Sequence, residues 1–113
     1  MRLEEARRFA LSLPEATEEP HFEKSSFRVK GKIMATVPLG GKHLHLNVEA
    51  DEGHALCEQF PDPFEPILWG KRVQMEWIRV TLAKADRAIV EELLEDAWRR
   101  KAPKRLVADY EAR

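Results

Sequence analysis

Ser25-Ser26-Phe27-Arg28-Val29-Lys30-Gly31-Lys32-Ile33-Met34-Ala35-Thr36-Val37 is the stretch on which the fold turns. Two runs of strand-forming residues flank one glycine. Side chains alternate along such runs, so Phe27 and Val29 can enter a core while Arg28 and Lys30 face the other way. Gly31 supplies the positive φ of a tight hairpin. Gly40-Gly41 marks the next turn, and Lys42-His43-Leu44-His45-Leu46-Asn47-Val48 the next strand, with Leu44, Leu46 and Val48 inward and His43, His45 and Asn47 outward. The spacing predicts a three-strand meander. Between Lys24 and Val48 the chain holds Lys24, Arg28, Lys30, Lys32 and Lys42 and no acid, so one face of that sheet is expected to be positive.

Outward from the meander, Leu3, Ala6, Ala10 and Leu13 recur at helical spacing before Pro14, which predicts an amphipathic helix over Arg2 to Leu13. Glu15 to Lys24, acidic and interrupted by Pro20, reads as a connection. On the other side, Asp51 is an expected N-cap for a short helix to about Phe60, with Ala55, Leu56 and Phe60 inward. Pro61, Pro63 and Pro66 then exclude regular helix. Two further strands are expected, near Ile67 to Trp69 and from Val73 to Leu82, turning at Gly70-Lys71; Ile78, Val80 and Leu82 share one face and Trp77, Arg79 and Thr81 the other. Asp86 caps a helix whose Ile89, Val90, Leu93, Leu94, Ala97 and Trp98 form an apolar stripe, and Lys104 to Arg113 can form a last helix docking Leu106, Val107 and Tyr110. The order α-β-β-β-α-β-β-α, with a final α, implies a two-layer α+β domain spanning 1–113, its antiparallel sheet covered by helices on one face.

With 113 residues, 43% apolar and 35% charged, the chain has the length and composition of one soluble globular domain. No apolar run approaches the roughly 20 residues of a membrane span, and Met1-Arg2-Leu3-Glu4-Glu5 lacks a signal-peptide core, so no membrane association and a cytoplasmic location are expected. The single cysteine, Cys57, excludes an internal disulfide and a cysteine-built zinc site. A net charge of -1 argues against a generic polyanion binder. The charges are segregated, however. Glu15 to Glu23 and Glu49 to Glu65 carry only acids, while Arg99, Arg100, Lys101, Lys104 and Arg105 form a second basic block. A nucleic-acid reading requires that block and the strand lysines to lie on one side.

The ordered set Leu13-Pro14-Glu15-Ala16-Thr17-Glu18, Phe27-Arg28-Val29-Lys30-Gly31-Lys32-Ile33-Met34-Ala35, Trp77-Ile78-Arg79-Val80-Thr81-Leu82, Trp98 and Ala102-Pro103-Lys104-Arg105-Leu106-Val107 resembles the MmcQ/YjbR family of small bacterial proteins over nearly the whole chain. The resemblance implies an α-β(3)-α-β(2)-α domain of the secretion-chaperone-like type. It also implies DNA binding, a label resting on structural analogy to a double-wing DNA-binding domain. Carried over as candidate DNA contacts are Arg28, Lys30 and Lys32 on the first hairpin and Arg79 on the long strand. Many members carry basic or histidine residues just before the strand tryptophan; here Gln74-Met75-Glu76 stand there, and the acid counts against a phosphate contact at that position.

The primary expectation is therefore a DNA-binding protein contacting phosphates through a basic open sheet face. The alternative is a protein-interaction or chaperone-like module using the same face, with Trp77, beside Arg79, as the interface residue. Against both stands a solvated sheet face whose lysines discourage aggregation. His43 and His45 at i and i+2, with His21, are the one conceivable metal set, but spacing fixes no third ligand. His54 and Cys57 at i and i+3 suggest a nucleophile pair without an orienting third group. No P-loop, dinucleotide fingerprint or paired-carboxylate spacing occurs, so neither an enzyme, a cofactor nor a metal is expected.

Overall fold

The computed structural model describes residues 1–113. Helix α1 (Leu3–Ser12) leads into strands β1 (Ala16–His21), β2 (Lys24–Val29), β3 (Lys32–Val37) and β4 (His43–Asn47). Helix α2 (Ala50–Gln59), strands β5 (Phe64–Trp69) and β6 (Arg72–Thr81), a 3-10 turn over Leu82–Lys84 and helices α3 (Arg87–Lys101) and α4 (Lys104–Glu111) follow. All strands join one antiparallel sheet in the order β1-β2-β3-β4-β6-β5. The α+β order read from the sequence holds, with one strand added at the front. No helix is long and apolar enough to cross a membrane.

That added strand is the segment expected to be a connection. Glu18 of β1 accepts from Arg7 Nε of α1 at 2.9 Å and from Ser25 Oγ at 2.6 Å, which ties an acidic stretch onto the helix side of the sheet. Pro20 is compatible with a strand here because β1 is an edge, with no outer neighbour to receive an N–H. The opposite edge, β5, carries Pro66 in the same role, so both edges are blunted against sheet-to-sheet pairing.

The β2–β3 turn has positive φ at Lys30 and at Gly31, 50° and 80°, as a two-residue hairpin of right-handed twist requires. One residue later β3 bulges, since Phe27 pairs with Ala35 but Arg28 with Ile33, and consecutive Met34 and Ala35 both become buried. Phe27, Val29, Leu44, Leu46, Ile78 and Val80 meet the helices on one face. Trp98 of α3 is fully buried among them, donates from Nε1 to the Pro14 carbonyl at 2.9 Å and packs against Tyr110 of α4. Asp86 caps α3 as expected, accepting from Ala88 N at 2.8 Å.

Helix α2 departs from its expected form. Its N-cap is Glu49, with Asp51 inside the first turn, and the residue it buries is Gly53, while Ala55 and Phe60 face solvent. A Cβ at Gly53 would lie 2.7 Å from Val48 Cγ2, so the glycine is what allows α2 to sit directly on the β4–β6 pair.

Candidate functional site

Strand β6 is irregular where it leaves the body of the sheet. Pro66 pairs with Ile78 and Leu68 with Val73, so the four residues Gln74 to Trp77 stand opposite Ile67 alone. The Glu76 carbonyl turns toward β4 and accepts from Val48 N at 2.9 Å and Asn47 Nδ2 at 3.1 Å. Three extra residues, an odd number, reset the alternation. Val73 and Met75, which simple alternation would place with Trp77 and Arg79, instead border the cleft beneath α2.

The consequence is an uncovered apolar arm. Leu68, Trp69, Val73 and Met75 are 61%, 79%, 47% and 60% exposed on the β5–β6 hairpin. Val73 and Met75 line a cleft of about 280 Å³ between α2 and β6, bordered also by Gly53, Cys57, Pro66 and Ile78, while Leu68 and Trp69 border a depression on the open face. Lys71 and Arg72 at the tip enter no side-chain hydrogen bond or ion pair, so the arm presents apolar flanks under a positive tip. Trp77, the expected interface residue, is half-buried at the bulge and borders both this cleft and the open face; the exposed indole is Trp69. An alternating pattern carries no mark of a bulge, which is why the difference in exposure between the two tryptophans could not be read from the sequence.

The candidate DNA contacts do not converge. Arg28 lies on the open face and is half-buried, donating to Ser26 Oγ at 2.9 Å and the Pro20 carbonyl at 3.2 Å. Lys30 is ion-paired with Glu15, and the hydrogen bond from Lys30 and then its charge hold the Glu15 carboxyl below its usual range. Lys32 shares the side of Val29 and borders a depression with Arg99, Arg100 and Lys104, on the helix side. Arg79 is on the open face, with Nη2 3.3 Å from His43 Nδ1 and Nε 3.5 Å from Glu65 Oε1. The two basic blocks therefore do meet, but at the β2–β3 turn and the end of α3 rather than on the open face. Arg99 there is engaged by Glu95, Asp96 and Glu111.

The remaining candidates are also placed. His43 and His45 share the open face, and His21 reaches it from β1, but no group of three metal-ligating side chains forms. Asn47, expected beside the two histidines, is buried and held by Arg100 of α3 through its Oδ1 and its carbonyl. His54 approaches Glu58 at 3.3 Å rather than Cys57. Burial, with the charge of Glu65 adding to it, pushes the Cys57 thiol up, away from thiolate.

The sequence model of the YjbR family matches residues 11–100. Among solved structures, the chain is similar to the crystal structure of the Deinococcus radiodurans protein DR2400, a DUF419 domain, with a TM-score of 0.73 and 22% identity over 86% of this chain and 75% of that one. At that identity the likeness concerns the fold. No curated protein sequence matches significantly.

Proposed function

Since the chain belongs to the YjbR family and its fold leaves one hairpin apolar and uncovered, we propose that it is a non-enzymatic binding module that takes up a protein segment on the β5–β6 arm. The observation that carries this is the exposure of four large apolar side chains, Leu68, Trp69, Val73 and Met75, on one two-stranded projection. Isolated apolar residues on a surface are ordinary; four on one short hairpin, two of them lining a cleft, mark an interface. An indole held on a strand supplies large contact area with little rotamer entropy to lose, which suits it to be the anchor. Unpaired Lys71 and Arg72 at the tip define the partner's chemistry, an apolar or aromatic segment flanked by acids.

A random peptide library displayed on phage tests the reading against the intact chain. Selection enriches peptides with paired apolar anchors next to Asp or Glu, and Trp69→Ser with Met75→Ser abolishes their binding while the thermal melt stays cooperative. Failure to enrich, or peptides that bind the double variant equally well, overturns it.

One observation favours a second reading, contact with nucleic acid. Lys32 and Lys104, both unpaired, meet across the end of the molecule beside Arg99 and Arg100, which Glu95, Asp96, Glu111 and Asn47 hold, so hairpin and helix cations share one edge. Two phosphate contacts there, from Lys32 and Lys104, would give a log K against log salt slope of roughly -1.8. A low-salt anisotropy titration with duplex DNA, repeated with Lys32→Glu and Lys104→Glu, decides: binding lost in the variant supports the edge, and no binding at about 100 μM protein removes the reading.

A further inference from the structure

Across the open face runs a row of side chains in register on all six strands: Glu19, Ser26, Thr36, His45, Arg79 and Glu65. One end is satisfied, with Ser26 Oγ donating to the Glu19 carbonyl at 2.8 Å and the Glu19 carboxylate accepting from Thr17 Oγ1 at 2.7 Å. Its centre is not. His45 Nε2 is covered and without any partner, and Arg79 Nε, on the directly paired residue, makes no hydrogen bond and has only the ion-pair contact with Glu65 at 3.5 Å. Buried polar groups left unmatched are rare enough that each calls for a physical reason.

Thr36 and His45, the middle of the row, line a depression of about 410 Å³ that both edge hairpins border, with His21 and Lys24 from one and Ile67 and Trp69 from the other. Its two parts differ. Lys24, unpaired, and His45 beside Arg79 make one part cationic, while Ile33, Ile67 and Trp77 make the other flat and apolar. We propose that this concave face is a binding site for a small organic anion with a flat apolar body, an aryl carboxylate or aryl phosphate in chemical class.

An anionic oxygen beside Lys24 accepts from its ammonium and, after a modest turn of the His45 ring about its soft χ2, from Nε2, which gives the orphaned nitrogen a partner. The ring of the ligand then lies against Trp77, Ile33 and Ile67, the arrangement of few polar groups on an apolar floor that small-molecule sites share, in a volume of the usual size. Burial first, and then the charges of Arg79, Lys24 and His43, hold the His45 imidazole below its ordinary value; of these neighbours, Lys24 and Arg79 supply the positive charge that an anion would meet. Glu65 is the carboxylate nearest Arg79, and the anion competes with it for that guanidinium. Because both hairpins border the depression from opposite sides, it is shaped for a compact ligand rather than a duplex.

The test is a titration of the intact chain followed by backbone, indole and imidazole NMR shifts, with 2-naphthoate, 2-naphthyl phosphate and the neutral 2-naphthalenemethanol as probes. At least one anion should shift His45, Thr36 and the Trp77 indole saturably, bind about tenfold or more tighter than the neutral probe, and weaken by about tenfold in Lys24→Glu. Which anion binds tighter tells carboxylate from phosphate. Lys24 is exposed and unpaired, so the variant keeps its fold, and an unchanged spectrum away from the site checks that. Three results overturn the proposal: no saturable shift with either anion up to about 5 mM, neutral and charged probes binding alike, or shifts centred on Gly53 and Cys57 behind the sheet.

Discussion

Replacing Gly53 by alanine sets two effects of opposite sign against each other. Alanine is favoured over glycine in a helix interior by about 0.8–1.0 kcal/mol, so at an open position the substitution would stabilise α2. Here the new methyl would lie 2.7 Å from Val48 Cγ2 and 3.3 Å from Ile78 Cγ2. Val48 is itself buried, and its branched Cβ leaves it few other rotamers, so relief has to come from α2 lifting off the sheet. Overpacking of this kind costs about 1–3 kcal/mol. The cost outweighs the gain, and Gly53→Ala is expected to destabilise by about 1 kcal/mol. For 113 residues that lowers the melting temperature by roughly 4 °C. With Val48→Ala in place the methyl has room, and the same substitution should raise the melting temperature, a coupling of about 2 kcal/mol in a double-mutant cycle. Chemical denaturation of the four proteins measures it. A rise on Gly53→Ala alone would show that α2 is free to shift, and the close approach of helix and sheet that shapes the cleft would not be a constraint.

Trp98→Ala removes a fully buried indole and its bond to the Pro14 carbonyl and should cost about 3–5 kcal/mol; a loss below about 1 in a thermal melt would contradict its place at the centre of the core. Phe22 is 92% exposed at φ 58°, a conformation costly for a bulky residue, so Phe22→Gly should stabilise by about 1 kcal/mol, and any loss of stability would be the opposite outcome. The folded His45 imidazole titrates below its reference value of 6.5, because burial and then the charges of Arg79, Lys24 and His43 disfavour the proton. The unfolded chain therefore binds more protons there, and this contribution to stability, complete above about pH 6.5, is lost as pH falls through the folded value. His45→Gln should flatten the pH dependence of denaturation midpoints below neutrality, and an unchanged profile would exclude the residue as its source.

The meander was legible because its glycines and its alternation are local. Lys30-Gly31 forms the turn its sequence calls for, and Phe27, Leu44 and Val80 face the core as period two demands. What was not legible depends on partners distant in the chain. Strand β1 looks like a loop because Pro20 and its acids are disfavoured in a central strand, and only its place at an edge, with Arg7 reaching Glu18, makes it regular. Charge position misled for the same reason. Lys30 and Lys32 are near neighbours in sequence, yet one is bound to Glu15 and the other turns toward α3. The apolar arm was hidden by the bulge at Gln74 to Trp77, which arises from hydrogen bonds between the Glu76 carbonyl and β4 that no residue pattern announces.

That arm is the centre of the account, and a photo-crosslinking amino acid placed on it inside native host cells examines it most directly. Installed at Leu68 or Met75, the group should yield a discrete adduct with one protein, and Trp69→Ser in the same chain should remove that adduct. Installed at Leu39, equally exposed on a different loop, it should give none. No adduct from the arm, or the same adducts from Leu39 as from Leu68, would contradict the claim that this hairpin is where the molecule meets its partner.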